Sequence, residues 1–126
     1  MIGKNEGSSV ITVVDNIIAN AVKNEFNVLR FSPSDNGLAV IGGAESDPDA
    51  TCLALINQRV AQTVITRLKI MGNLSIAERR CKQSGFIEFP FDGRVIKIPV
   101  KSIPGPNGEE IILDLENKPI AVRASG

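Results

Sequence analysis

The stretch Lys69-Ile70-Met71-Gly72-Asn73-Leu74-Ser75-Ile76-Ala77-Glu78-Arg79-Arg80-Cys81-Lys82-Gln83-Ser84-Gly85 divides the chain into two kinds of pattern. Immediately before it, apolar residues recur every three or four positions, as on one face of a helix; after it they alternate, as on one face of a strand. Gly72-Asn73 stops the upstream helix, and Leu74 to Arg80 reads as a turn-like or short helical connector. Downstream, Ile87 and Phe89 alternate with Phe86 and Glu88. Asp92-Gly93 is a tight-turn signal, after which Ile96, Ile98 and Val100 alternate with Lys97, Pro99 and Lys101, which predicts a hairpin. Pro99 should sit where the ladder requires no donor. Pro104 to Gly108 turns the chain into a third strand within Glu109 to Leu115, with Ile111 and Leu113 on one side and Ile112 and Asp114 on the other. Glu116 to Gly126 reads as a loose or edge-docked tail.

Upstream, Leu53, Ile56, Val60, Val64 and Leu68 form a stripe, and Asp47-Pro48 is placed as a cap followed by a first-turn proline. The spacing predicts a helix from there to about Met71. Asn27 to Ser32, the turn Pro33 to Gly37, and Leu38 to Ile41 read as strand, turn and strand, closed by Gly42 and Gly43. Val10 to Glu25 is an amphipathic helix with Ser8 or Ser9 as its cap. These elements describe a mixed α and β protein. A flexible start over 1–9 and the tail over 116–126 enclose one domain at 10–115.

Composition narrows the function. With 126 residues the chain holds one ordinary domain, and 43% hydrophobic with 22% charged residues is a globular balance. Lys plus Arg and Asp plus Glu total 14 each, so the positive field that nucleic-acid binding requires is missing. Histidine is absent, which excludes Ser-His-Asp and Cys-His triads and His-containing zinc sites. Trp and Tyr are absent too, leaving five Phe as poor material for base stacking. Apolar runs are broken at Asp15, Asn16, Asn20 or Lys23, short of a membrane span, and Met1 to Ser9 lacks the regions of a signal peptide. A cytoplasmic location without membrane insertion is expected. Cys52 and Cys81 lack the density of a disulfide framework and are expected as reduced, partly buried thiols.

No P-loop run occurs, and Gly3-Lys4-Asn5 lacks the upstream glycine and the hydroxyl. Glu45, Asp47 and Asp49 could gather a hard cation, but the pattern of a calcium loop is missing and capping explains them better. Glu78 with Asp92 or Glu88 could form an acid and base pair, though nothing in the spacing places them across a cleft. Glu78-Arg79-Arg80 with Lys82 could hold an anion or meet acids of a neighbouring chain. The other reading is a local ion-pair network fixing the connector to the sheet. No catalytic residue, cofactor or metal ligand is expected.

Read as a string, Arg67-Leu68-Lys69-Ile70-Met71-Gly72-Asn73-Leu74-Ser75-Ile76-Ala77-Glu78-Arg79-Arg80 closely resembles a segment of the type II secretion and type IV pilus assembly ATPases, in the small domain upstream of the motor. The resemblance extends through Gln83, Gly85, Asp92-Gly93-Arg94, Val100, Ser102, Ile103-Pro104 and Gly108-Glu109, and back to Pro33 and Asn36-Gly37-Leu38. It implies an α+β fold of PAS-like kind, an antiparallel sheet flanked by helices, together with bacterial origin and a place in protein transport. In the family this domain directs basic residues at nucleotide phosphates. Here the strand after Asn36-Gly37, usually alternating Arg, reads Ala39, Val40, Ile41, Gly42, Gly43. The run usually Leu-Pro-Gln-Asp-Gly-Arg reads Cys81, Lys82, Gln83, Ser84, Gly85, Phe86, while Arg before Val100 has become Pro99 and a later strand Arg has become Asp114. The usual Ser-Asp-Ile-His-Ile-Glu-Pro survives only as Asn27 to Pro33. Turn glycines and apolar positions remain while phosphate-directed charge is lost. The resemblance thus implies a free-standing, non-catalytic interaction or assembly module that has abandoned nucleotide, with a protein partner from a secretion or pilus apparatus and self-association as a further expectation. Its interaction residues would come from Arg67, Lys69, Glu78, Arg79, Arg80 and Lys82. The alternatives are a PAS-like small-molecule sensor and an excised fragment of a full ATPase.

Overall fold

The computed structural model describes residues 6–116 and 120–123. Its elements are α1 (Glu6–Lys23), β1 (Val28–Ser34), β2 (Gly37–Gly42), β3 (Thr51–Asn57), α2 (Gln58–Met71), β4 (Gln83–Phe91), β5 (Arg94–Ile103), β6 (Glu110–Asp114) and β7 (Ile120–Arg123). All strand pairs are antiparallel, in one sheet of order β3-β2-β1-β6-β5-β4; β7 joins β5 at Arg94 to Ile96, where the β6 ladder has ended. The expected α+β class is what the chain adopts.

Register decides which side chains share a face. Phe31 stands opposite Val40 and Ile111, Leu113 opposite Leu29 and Val100, and Ile98 opposite Ile87. These residues therefore line one face, and all are buried. Val14 and Ile18 of α1 and Val64 and Leu68 of α2 close over them in a single core. Each fully buried Leu or Ile there contributes about 1.5–3 kcal/mol. The opposite face carries Arg30, Phe86, Glu88, Lys97, Lys101 and Glu110 among half-buried Ile41, Ile103 and Ile112. Both helices thus lie on one side.

The helix expected from Asp47 to Met71 is instead a strand followed by a helix. Thr51 to Asn57 pairs with β2, and α2 starts only after Asn57, whose side-chain oxygen accepts from the Arg59 amide at 2.8 Å. Asp47 caps a turn, accepting from the Asp49 amide at 2.8 Å. Leu53, counted in the helical stripe, is 38% exposed on the edge strand. Pairing with β2 overrode the stripe because Ile56, Val60 and Val64 reach the core from either side of the junction. The first helix also starts earlier, at Glu6, so Ser8 and Ser9 lie inside it and residues 6–9 of the expected flexible start are helical. Residues 1–5 fall outside the described residues.

Both helices end in the same way. Asn73 has φ +59°, its amide donates to the Ile70 carbonyl, and the Leu74 amide donates to that of Lys69. Glu25, Phe26, Val22 and Ala21 repeat this left-handed stop after α1. Asn73 thus takes the conformation expected of glycine, while Gly72 supplies space: a Cβ there would lie 2.7 Å from Val100 Cγ1.

The hairpin is as expected. Asp92 and Gly93, at φ +55° and +77°, form a two-residue turn of the type that matches strand twist. The closing pair Phe91 and Arg94 exchanges hydrogen bonds in such a turn, so Pro99, five residues on, turns its nitrogen away from β4. On its other side the β7 ladder stops at Ile96 and the β6 ladder starts at Val100, so no donor is missing. The tail expected over 116–126 contributes β7; 117–119 and 124–126 lie outside the described residues.

Candidate functional site

Lys69 occupies the last turn of α2 on its inward face and is 1% exposed. Its Nζ donates to Glu109 Oε2 at 2.7 Å and to the Glu78 carbonyl at 2.8 Å. Ser102 Oγ donates to the same carboxylate oxygen at 3.1 Å, and Glu109 is itself buried. One ammonium therefore ties helix, connector, β5 and the turn before β6 together. A buried charge is tolerated only when paired and hydrogen-bonded, and here both conditions hold.

The connector is shaped by short contacts. Gln83 Oε1 accepts from the Ser75 amide at 2.8 Å, while its Nε2 donates to the Ser75 and Glu78 carbonyls at 3.0 and 3.3 Å. Glu78 Oε2 accepts from the Arg80 amide at 2.7 Å. Below, Gly85 meets Gly72 so closely that a Cβ would stand 2.4 Å from the Gly72 carbonyl oxygen.

The six expected interaction residues are thereby separated. Lys69 presents no surface, which corrects its place among them, and Glu78 is half-buried with its carbonyl directed inward. Arg79, Arg80 and Lys82 are exposed; the Arg80 side chain is 91% exposed and stands 4.0 Å from Glu78. Arg67 lies elsewhere, in a cleft of about 460 Å³ with Asp15, Asn16, Ala19, Met71, Glu88, Phe89 and Pro90. Its Nε is buried and has no hydrogen-bond partner. Of the ion-pair network read from Glu78 to Lys82, the described residues form only the Arg80–Glu78 contact at 4.0 Å; the charge that ties the connector to the sheet is Lys69, through Glu109. Forty positions separate Lys69 from Glu109, and only the fold brings them together. Cys52 and Cys81 are free but exposed, against the expectation of partial burial, because β3 is an edge strand and the connector projects outward. Among the described residues no cluster of three His, Cys, Asp or Glu side chains could hold a metal, and no helix is long and apolar enough to cross a membrane.

Positions where the resemblance expects phosphate-directed bases converge. Ala39 and Ile41 of β2, Pro99 of β5 and Asp114 of β6 all fall on the face opposite the helices, by register with Leu55, Phe86 and Val28 and by alternation from Val40, Val100 and Leu113. Arg30 remains there, but its Nε donates to the Gly43 carbonyl at 3.0 Å and its Nη1 lies 3.5 Å from Glu110.

The sequence model of the family described as "Type II/IV secretion system protein" matches residues 4–123. The chain belongs to this family. It is 30% identical over 116 residues, 90% of its length, to the type II secretion system protein HxcR of Pseudomonas aeruginosa. Over 61 residues it is 38% identical to the type II secretion system protein E of the same organism, and over 62 residues 31% identical to the type II secretion system ATPase E of Vibrio cholerae. The match covers 24% of HxcR and 12% of each of the other two, so the chain spans about a quarter of the length of the curated relatives it matches along most of its own.

Proposed function

We propose that this chain is a non-catalytic interaction or assembly module of a secretion or pilus apparatus, acting in the cytoplasm without hydrolysing nucleotide. The observation that carries the reading is the open sheet face. Positions where the resemblance expects arginine hold Ala39, Ile41, Pro99 and Asp114 on one surface, and Arg30 is internally paired. A phosphate gains from paired guanidinium donors and is repelled by a carboxylate. Lys69, the basic group of the family-like segment with the best hydrogen bonding, is likewise engaged inside. The connector's exposed Arg79, Arg80 and Lys82, together with an unpaired sheet edge, supply the candidate interaction surfaces.

Calorimetric titration with Mg-ATP tests this reading: no saturable heat is expected at millimolar nucleotide, and tight binding would overturn it. Coverage of about a quarter of the relatives favours one other reading, a segment that works within a longer ATPase, which mapping the open reading frame decides. A PAS-like sensor has less support, since the space between helices and sheet is filled by Leu29, Phe31, Ile98 and Leu113.

A further inference from the structure

Among the described residues, β3 and β4 end the six-strand path of the sheet, one on each side, and they differ in how well they are defended. The β2–β3 ladder shifts register between Val40 and Ile41, a bulge that twists that edge away from further pairing. The ladder of β4 with β5 is unbroken over nine pairs, from Gln83 to Phe91. Because Phe91 and Arg94 close a two-residue turn with mutual hydrogen bonds, Phe89, Ile87 and Gly85 also bond inward. Ser84, Phe86 and Glu88 then aim their amides and carbonyls outward. Among the described residues none of these groups takes part in a turn or loop hydrogen bond. Pro90 removes the next outward amide and so ends the free row.

Charge is distributed unevenly along this edge. Arg79, Arg80 and Lys82 stand exposed just before β4, and Arg67, whose Nε is buried without a partner, lines the cleft with Glu88 and Pro90. A second copy offering β3 antiparallel to β4 would set Arg59 near Arg79 to Lys82 and Glu45, Asp47 and Asp49 near Asp92. Like charges would meet at both ends, which disfavours continuous stacking of copies.

Building on the interaction reading above, we infer that the outer edge of β4 from Ser84 to Glu88 is a strand-addition site for an extended peptide segment of a partner protein, bound antiparallel, in which apolar alternating residues are followed by acidic ones. The order follows from direction: an antiparallel strand brings its C-terminal end to the start of β4, where the bases lie. Main-chain hydrogen bonds supply affinity and the flanking charges set orientation. Side chains on the helix side meet the Arg67 cleft, where Asp15 and Glu88 favour an acceptor oxygen of a neutral side chain over a further carboxylate.

The test is fluorescence anisotropy with the labelled peptide Ser-Val-Thr-Val-Thr-Asp-Glu-Asp and its reversed-order counterpart. The first should bind, more weakly as salt rises, and the reversed peptide at least about tenfold more weakly. Glu88→Pro deletes an outward amide on an edge strand, where proline is tolerated, and should weaken binding about tenfold. Methylating the peptide amides that face β4 should do the same with the protein unchanged, so the inference stays testable if Glu88→Pro fails to fold. Equal binding of the two peptides, indifference to methylation, or no binding at millimolar protein overturns it. A concentration-dependent dimer abolished by Leu55→Lys would give the edge to a second copy and also overturn it. A native partner cross-linked equally to the chain and to Glu88→Pro removes this site but leaves the interaction reading, whereas ATP binding removes that reading even if the peptide docks.

Discussion

Lys69 and Arg80 lie in one continuous stretch and carry the same charge, yet one is 1% exposed and the other has a side chain 91% exposed. Lys69 is held by a carboxylate, a carbonyl and the wall of the core; Arg80 has one loose contact at 4.0 Å. The difference shows that a basic segment can serve two purposes, with the inner residue fixing the shape that presents the outer ones. It also predicts a steep gradient of mutational cost over a dozen residues.

The largest effect is expected from Lys69→Met. It leaves Glu109 and Ser102 buried around an uncompensated carboxylate and should cost about 3–5 kcal/mol in urea unfolding. Pairing it with Glu109→Met should recover much of that loss, because two apolar groups leave no charge behind. If the double variant were as unstable as the single one, the ion pair would not be the reason for the cost. Next comes Gly85→Ala, where the added methyl collides with the Gly72 backbone; about 1–3 kcal/mol should be lost by the same measurement. Glu78→Ala removes the acceptor of the Arg80 amide but leaves the Glu78 carbonyl on Lys69, so about 0.5–1.5 kcal/mol is expected. Smallest is Arg79→Ala with Arg80→Ala, which should move the melting temperature by no more than about 2 °C. A larger shift there would erase the contrast between inner and outer charge.

Much of this was legible in the chain. Alternation in Ile87 and Phe89, in Ile96, Ile98 and Val100, and in Ile111 and Leu113 reports burial on one face, and each of these residues is buried. Asp92-Gly93 specified its turn through the left-handed conformations both residues accept. The junction at Asn57 was missed, although Thr51 to Ile56 holds strand-favouring residues and Asn57 is a good helix cap. A stripe from Leu53 to Leu68 fits one long helix as well as a strand that runs straight into a shorter one. Periodicity alone cannot separate them when both bury Ile56, Val64 and Leu68 and only Leu53 changes from buried to exposed. Of the candidate site, the local clamp of Glu78 was readable from its spacing, whereas Glu109, Ser102 and the partnerless Arg67 were not.

The sequence by itself determined the α+β class, the hairpin, the stop after Met71 and the family, because these rest on local periodicity, turn chemistry and a segment specific enough to be matched. Tertiary structure alone decided that Lys69 faces inward to Glu109, that Ala39, Ile41, Pro99 and Asp114 share one surface, and that β3 and β4 are the sheet's two edges. Those facts depend on strand order and register, which bring together residues far apart in the chain, and no local pattern encodes a distance across a sheet.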